Sequence, residues 1–429
     1  MTAVAANGMT AVLARRWRDP AAWTTTVDVF AILLAASLPW STSLVGIFAT
    51  AMLLTRIPFL DLASLWRLVR QPICAVPIAL FALAALGMLW SDADWAARTY
   101  ALKPAAKLLV LPILFYHFQR SERGLSVLVA FLLSCVLLEA ASWLVAFEPG
   151  LTMKPHGFET RGVVVKDYID QSQEFALCAV ALVYPVIQLL RARRIWQAAL
   201  LAAIGLSFVA NMAFVIVSRT ALVTMPVTVA VFGLVHLKWR TNLMILAAVA
   251  VVGAAAWVAS PQLESTVATF AREYREYKET GRSTSIGQRL EFWQKSLRFV
   301  AEAPLFGHGT GSTRGLFEKA AEGQTGAASE VIGNPHNQTL NVAVQWGLLG
   351  VVVLYAMWLV HLLLFRGEGL VHWIGLLVVV QNIFTSLFNS HVFDFHEGWM
   401  YVLGVGIAGG MVLKAKSAED SGRVQAHVE

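Results

Sequence analysis

Charge is scarce in this chain. Of its 429 residues 14% are Asp, Glu, Lys or Arg and 57% are apolar, and the mean hydropathy is +0.63. That balance excludes a soluble globular domain, whose surface would need far more polar residues. Cysteine is nearly missing: Cys74, Cys135 and Cys178 all fall inside apolar windows, which excludes a disulfide framework. No internal repeat of fixed period and no Gly-rich nucleotide cradle is found. The formal charge of +6 is not gathered into a basic patch, because the longest polar stretch, residues 261–338, carries nine basic and nine acidic residues. A nucleic-acid partner is therefore unsupported.

What the chain has in abundance is long apolar runs. A membrane-spanning helix needs about 20 such residues to cross roughly 30 Å of hydrocarbon with its backbone satisfied internally. The windows are Val27–Trp40, Leu44–Leu60, Ile73–Trp90, Lys107–Phe118, Leu125–Phe147 and Glu174–Leu190, then Ile195–Val217, Leu222–Leu237, Leu243–Ser260, Leu340–Phe365, Leu370–Leu387 and Trp399–Leu413. The expected fold is all-α: a polytopic membrane protein of about 12 spans with one large extramembrane helical segment.

Short loops rich in Lys and Arg stay in the cytoplasm. Arg15, Arg16 and Arg18 precede the first window, and Arg56, Arg67 and Arg70 follow the second. Arg120 and Arg123, Arg191, Arg193 and Arg194, Lys238 and Arg240, Arg366, and Lys414 with Lys416 continue the pattern at every even-numbered connection. Both termini are thus expected inside, with no cleavable signal peptide. The organisation follows: a cytoplasmic segment 1–26, spans 27–260, an external segment 261–338, spans 339–415 and a cytoplasmic tail 416–429.

That topology sorts the polar residues. Outside lie Asp92, Asp94, Arg98, Lys103 and Lys107, then His156, Glu159, Arg161, Lys166 and Asp167, and finally Asn389, His391, Asp394, His396 and Glu397. Arg219 interrupts an apolar run of two helix lengths, so a turn is expected there with its guanidinium at the outer interface. It either anchors a helix end or binds phosphate, for which the planar, always-charged fork is suited. Arg289 sits on an amphipathic helix whose apolar positions Ile286, Leu290, Trp293, Leu297 and Val300 recur at spacings of three and four, which predicts an apolar face toward membrane or bundle. Arg289 at its edge is either a solvated partner of a nearby glutamate or a ligand. His336, in Asn334-Pro335-His336-Asn337 before the next span, is either a helix-capping residue or a general base working at neutral pH. Two groups have the chemistry of metal ligands, Asp92 with Asp94 and His391 with Asp394 and His396, without a specific spacing. Glu139 is ionisable within a span and is either functional or hydrogen-bonded to a neighbouring helix.

Together these residues carry a resemblance. Ser218-Arg219-Thr220-Ala221, Arg289-Leu290-Glu291-Phe292-Trp293 leading to Pro304-Leu305-Phe306-Gly307-His308-Gly309, and His336-Asn337 followed by Gly347 and Gly350 are similar to the signature of the O-antigen ligase and polymerase superfamily. The His-Asn to Gly-x-x-Gly spacing resembles the ligase branch. The resemblance covers residues 200–350 and the Trp90-Ser91-Asp92 ending of the third window. It implies a multi-pass enzyme of the bacterial inner membrane that moves a glycan from undecaprenyl pyrophosphate to lipid A-core oligosaccharide on the periplasmic side. The implied transfer is inverting, metal-independent and without a cofactor. The family's essential residues fall on Arg219, Arg289 and His336, with Arg161, Asn337 and Lys103 as further substrate-binding candidates. An O-antigen polymerase or a protein O-oligosaccharyltransferase would use the same donor. A lipid or solute transporter without chemistry is the alternative from another class, and it predicts paired repeats and charge at mid-bilayer.

Overall fold

The computed structural model describes residues 20–154, 161–216, 225–231, 233, 239–259 and 261–428. They are helical, with no strand among the described residues. In chain order the helices are α1 Pro20–Ser37, α2 Thr42–Arg56, α3 Leu62–Val69, α4 Pro72–Leu86, α5 Trp95–Leu102 and α6 Leu111–Phe118. Then come α7 Gly124–Phe147, α8 Tyr168–Ala181, α9 Val183–Arg191, α10 Ile195–Phe214 and α11 Trp239–Ala259. The polar segment supplies α12 Pro261–Thr280, α13 Ser285–Glu302 and α14 Thr313–Ala321, and the chain closes with α15 Gln338–Leu364, α16 Leu370–Thr385 and α17 Phe395–Val428.

Among the described residues seven helices are long and apolar enough to cross a membrane, or eight if α3 and α4, bent by 79°, form one span. The twelve expected windows exceed that number for local reasons. α1 and α16 are shorter apolar helices. Half of the eighth window, Leu222–Leu237, lies outside the described residues. The fourth begins earlier than expected, at Trp95, with a tighter 3₁₀ stretch Lys103–Val110 between α5 and α6. α3 adds an amphipathic helix within a connection expected to be a basic loop, and it leaves Leu62 and Trp66 exposed.

Helices apolar on every side belong in lipid or at the centre of a bundle, and burial separates the two cases. In their most apolar stretches 78% of α17 is buried but only 22% of α2, so α17 is the central post and α2 lies at the rim. Small residues let α17 approach its neighbours closely: a Cβ at Gly406 or Gly410 would run into Leu114 or Phe118 of α6. α7 shows the opposite arrangement, exposing Leu133, Leu137 and Leu144. All three cysteines are buried free thiols.

The polar segment is tied to the bundle through main chain. α15 is broken at Gly347, whose φ of 61° and ψ of −156° leave the helical region. The break frees carbonyls and amides that a helix would otherwise pair. His308 N–H donates to the Val344 carbonyl (2.9 Å) and Gly309 N–H to that of Gln345 (2.8 Å), while Leu348 and Leu349 N–H return bonds to Pro304 (2.8 Å) and Leu305 (3.2 Å). Gly307, at φ +67°, lies so close that a Cβ there would meet the Gln345–Trp346 peptide at 2.5 Å. The Pro304–Gly309 motif is therefore a clamp on a broken span.

α13 forms as the apolar spacing predicts, but its buried face differs. Phe292, Lys295, Ser296 and Phe299 are inside, and Leu297 is 60% exposed. Phe292 and Phe299 pack edge-on against Phe317 of α14, with Val344 completing the cluster. The aromatic pairs outweigh the aliphatic stripe because each ring removes more apolar area from water. Since residue 289 precedes 292 by three, the rotation carries Arg289 onto the face directed at the bundle.

Candidate active site at the His336 end of the bundle

His336 holds a left-handed backbone, φ 53°, a conformation uncommon outside glycine. Its neighbours account for it. The Asn334 side-chain oxygen accepts the His336 N–H (3.0 Å), and the Asn337 side chain accepts from Leu340 N–H (3.0 Å), capping α15. Asn-Pro-His-Asn thus forms a turn fixed at both ends.

The turn is laced to the connection between α16 and α17. Gln338 N–H donates to the Ser386 carbonyl (2.9 Å) and Asn337 Nδ2 to that of Leu387 (3.1 Å). Val392 N–H donates to Gln338 Oε1 (2.9 Å), and Ser390 Oγ bonds Asn334 Oδ1 (2.7 Å). Each such bond contributes about 0.5–1.5 kcal/mol net, together enough to offset a left-handed residue that costs on the order of 1–3 kcal/mol.

That lacing fixes the imidazole. Nδ1 lies 2.9 Å from Asn389 Oδ1, an oxygen that only accepts, so in the neutral ring Nδ1 carries the proton and the lone pair is on Nε2. The Phe292 ring is 6.2 Å away and tilted by 32°. Burial pushes the His336 pKa below its ordinary value, and the charges of Arg289 and His391 add to the depression against the opposing bond from Asn389. The ring is therefore neutral at neutral pH, with a basic nitrogen beside a guanidinium.

Sequence-predicted residues fare differently. Arg289 and His336, 47 positions apart in the chain, are brought within electrostatic reach. Arg219 lies outside the described residues, as do His156 and Glu159. Arg161 and Lys103 are exposed on separate connections. The Asn337 amide is engaged at both its oxygen and its nitrogen by the fold. Asn389 and Phe292 were not expected at the site. Asn389 is legible only as a polar residue between two apolar windows, and Phe292 only once the face of α13 is known.

The two metal-ligand groupings also resolve. Asp94 caps α5 by accepting from Ala97 N–H (2.7 Å), which is a structural use of that carboxylate, and Asp92 is exposed. His396 turns away from His391 and Asp394 to pair with Asp170 (2.5 Å); the carboxylate that joins His391 and Asp394 is Glu397. Glu139 accepts a bond from Ser207 Oγ of α10 (3.0 Å), the interhelical partner considered above.

With this geometry in place, comparison with known proteins is informative. Residues 204–355 match the family described as O-antigen ligase. Over this stretch the chain is similar to the O-antigen ligase family. The matched residues run from α10 to the broken α15, and so contain Arg219, Arg289, the Pro304–Gly309 clamp and His336. Outside them stands Asn389, so the residue that holds His336 Nδ1 comes from beyond the O-antigen ligase match. An uncharacterized protein of Haemophilus influenzae is 26% identical over 194 residues, which is 42% of this chain and 48% of the relative. The chain thus spans about half the length of that relative.

Proposed function

We propose that this multi-pass membrane protein is an O-antigen ligase. It would transfer a glycan from undecaprenyl pyrophosphate to lipid A-core oligosaccharide at the periplasmic face of the bacterial inner membrane. The observation that carries the reading is the neutral His336, with Nδ1 held by Asn389, Nε2 left basic, and Arg289 within electrostatic reach. An apolar cavity of about 430 Å³ among α1, α7, α8, α10, α16 and α17 would suit an isoprenoid tail. It shares Leu177, Val378 and Met400 with a smaller cavity that reaches Glu397 at the polar end.

In this mechanism the donor's tail stays in lipid and its pyrophosphate lies at the outer interface. His336 Nε2 takes the proton of the acceptor hydroxyl as that oxygen attacks the anomeric carbon from the face opposite the phosphate. The new glycosidic bond forms as the bond from anomeric carbon to phosphate oxygen breaks. The electron pair leaves with undecaprenyl pyrophosphate, and the anomeric centre is inverted. Arg289 and Arg219 offset the charge that grows on the leaving group, while Arg161 and Lys103 supply further cations along the same side. The cleaved glycosyl phosphate supplies the driving force, so no nucleotide or covalent enzyme intermediate enters.

The test is transfer by the purified protein from lipid-linked glycan to a core-bearing lipid A acceptor. Core-linked product supports the ligase. Glycan lengthened on its own lipid carrier would mean a polymerase, glycan on protein an oligosaccharyltransferase, and donor crossing the bilayer without transfer a transporter.

A further inference from the structure

The mechanism leaves one set of buried ionisable groups without a task. His391, Asp394 and Glu397 follow one another at intervals of three across the last turn of the α16–α17 connection and the start of α17. One side-chain atom from each lies within 4.8 Å of the others. His391 is 0% exposed and Glu397 4%. Among the described residues both ring nitrogens of His391, Asp394 Oδ2 and Glu397 Oε1 lack a hydrogen-bond partner. Buried polar atoms are rarely left so, and four in one place call for a ligand.

The surrounding charge says which kind. The carboxylates acting on this pocket are Asp167, Asp170, Glu174, Asp394 and Glu397, and the fixed cations are Lys107, Lys166 and Arg289. Five carboxyl groups against three fixed cations favour a bound cation here. Lys107 does not take them up directly: its Nζ donates to the Phe393 carbonyl (3.2 Å) and the Asp394 carbonyl. His396 and Lys166 are spent on Asp170 and Glu174.

From this geometry we infer a binding site for a divalent transition-metal ion, held by His391, Asp394 and Glu397. One imidazole nitrogen with two carboxylate oxygens selects the Zn²⁺ and Mn²⁺ class over Mg²⁺ and Ca²⁺. His391 Nδ1 and Glu397 Oε1, 3.4 Å apart, already stand at the spacing of two ligands whose bonds to zinc are about 2.0–2.2 Å. The ion is not placed on the leaving pyrophosphate. It anchors residues 389–394, the connection from which Asn389 holds His336 and Ser390 holds Asn334. The three ligands are positioning residues for the base, independent of which acceptor the enzyme uses.

The experiment is metal binding by the full chain in lipid nanodiscs, stripped with chelator and dialysed against Zn²⁺ or Mn²⁺. One equivalent per chain by elemental analysis is expected, with a melting temperature that rises with ion concentration. Co²⁺ should give a ligand-field absorption band. Glu397→Gln and Asp394→Asn, nearly isosteric, should weaken binding by about a hundredfold or more, by analogy with the losses seen around metal sites. His336→Ala and Asp92→Asn should bind as wild type does. A wild-type protein that holds no more metal than Glu397→Gln, or a Glu397→Gln protein that holds it equally well, would overturn the site and leave the three residues as a proton-sharing network. If one variant does not fold, the Co²⁺ spectrum of the wild type still decides.

Discussion

The two ends of the helical bundle treat buried charge in opposite ways. At the end that holds Asp28 the buried acid is satisfied. Asp28 accepts from His117 Nε2 (2.8 Å) and Ser121 Oγ (2.6 Å), and the guanidinium groups of Arg56 and Arg120 lie 4.8 and 3.7 Å from the Tyr116 ring centre. At the end that holds His336, Lys166 meets Glu174 (3.0 Å) and His396 meets Asp170 (2.5 Å). His391, Asp394 and Glu397 are nevertheless left with open atoms, and a neutral His336 stands beside an arginine. Paired charge fixes a fold. Charge held in deficit, at a stability cost, is the mark of a site that waits for something to bind.

That contrast can be broken or refined by experiment. The largest effect is all-or-none: single cysteines introduced at the exposed Gln324 and Glu368 should react with a membrane-impermeant reagent from opposite sides. Equal labelling would put both ends on one face and dissolve the comparison.

His336→Ala should lower transfer by about a hundredfold or more, the range for a lost general base. Donor binding should persist, because the arginines proposed to hold pyrophosphate remain. Wild-type transfer by this variant would remove His336 from the chemistry, and loss of donor binding would recast it as a substrate ligand. Arg219→Ala and Arg289→Ala should each cost on the order of a hundredfold in transfer, with lysine restoring only part because a point charge does not replace a planar fork. Full activity in either alanine variant would take that arginine out of the site.

A smaller effect is expected in the pH profile. Only the neutral imidazole accepts a proton, so transfer should be lost as pH falls through the His336 pKa. Because that pKa is depressed by burial and Arg289, the midpoint should lie below the value of about 6.5 for free imidazole. Asn389→Asp, which puts a carboxylate on Nδ1, should move the midpoint upward by roughly one unit. A midpoint unmoved by that change would mean Asn389 does not touch the titrating ring.

The smallest effect on transfer belongs to the end that holds Asp28. His117→Ala should destabilise the protein by about 1–3 kcal/mol, seen in its melting temperature, yet keep the folded enzyme's rate within about twofold. A large rate loss there would show that the two ends are coupled.

Much of this was legible in the sequence, and the failures have physical causes. Span positions follow from apolar runs, because lipid demands them of any crossing helix. The position of α13 followed from spacing, but its buried face did not: Ile286, Leu290 and Leu297 compete with Phe292 and Phe299, and only the partner, Phe317 on α14, decides. His336 and Arg289 stood out by residue type and place. Asn389 did not, because nothing local says which histidine 53 positions away an asparagine will hold. The substitution of Glu397 for His396 in the acidic cluster has the same origin. Neighbours in sequence at the start of a helix point in different directions, and tertiary packing chooses between them.

The broken helix has a bearing on how this protein can be recombined with its relatives. The Pro304–Gly309 loop and Gly347 grip one another through backbone bonds that need glycine at 307 and 347. An exchange cut at residue 338, where the polar segment ends, would sever the loop from the span it grips and pair two halves that never fitted. An exchange carried through Gly350 would move both halves together. The unit that such chimeras must move intact is therefore the polar segment plus the first turns of α15.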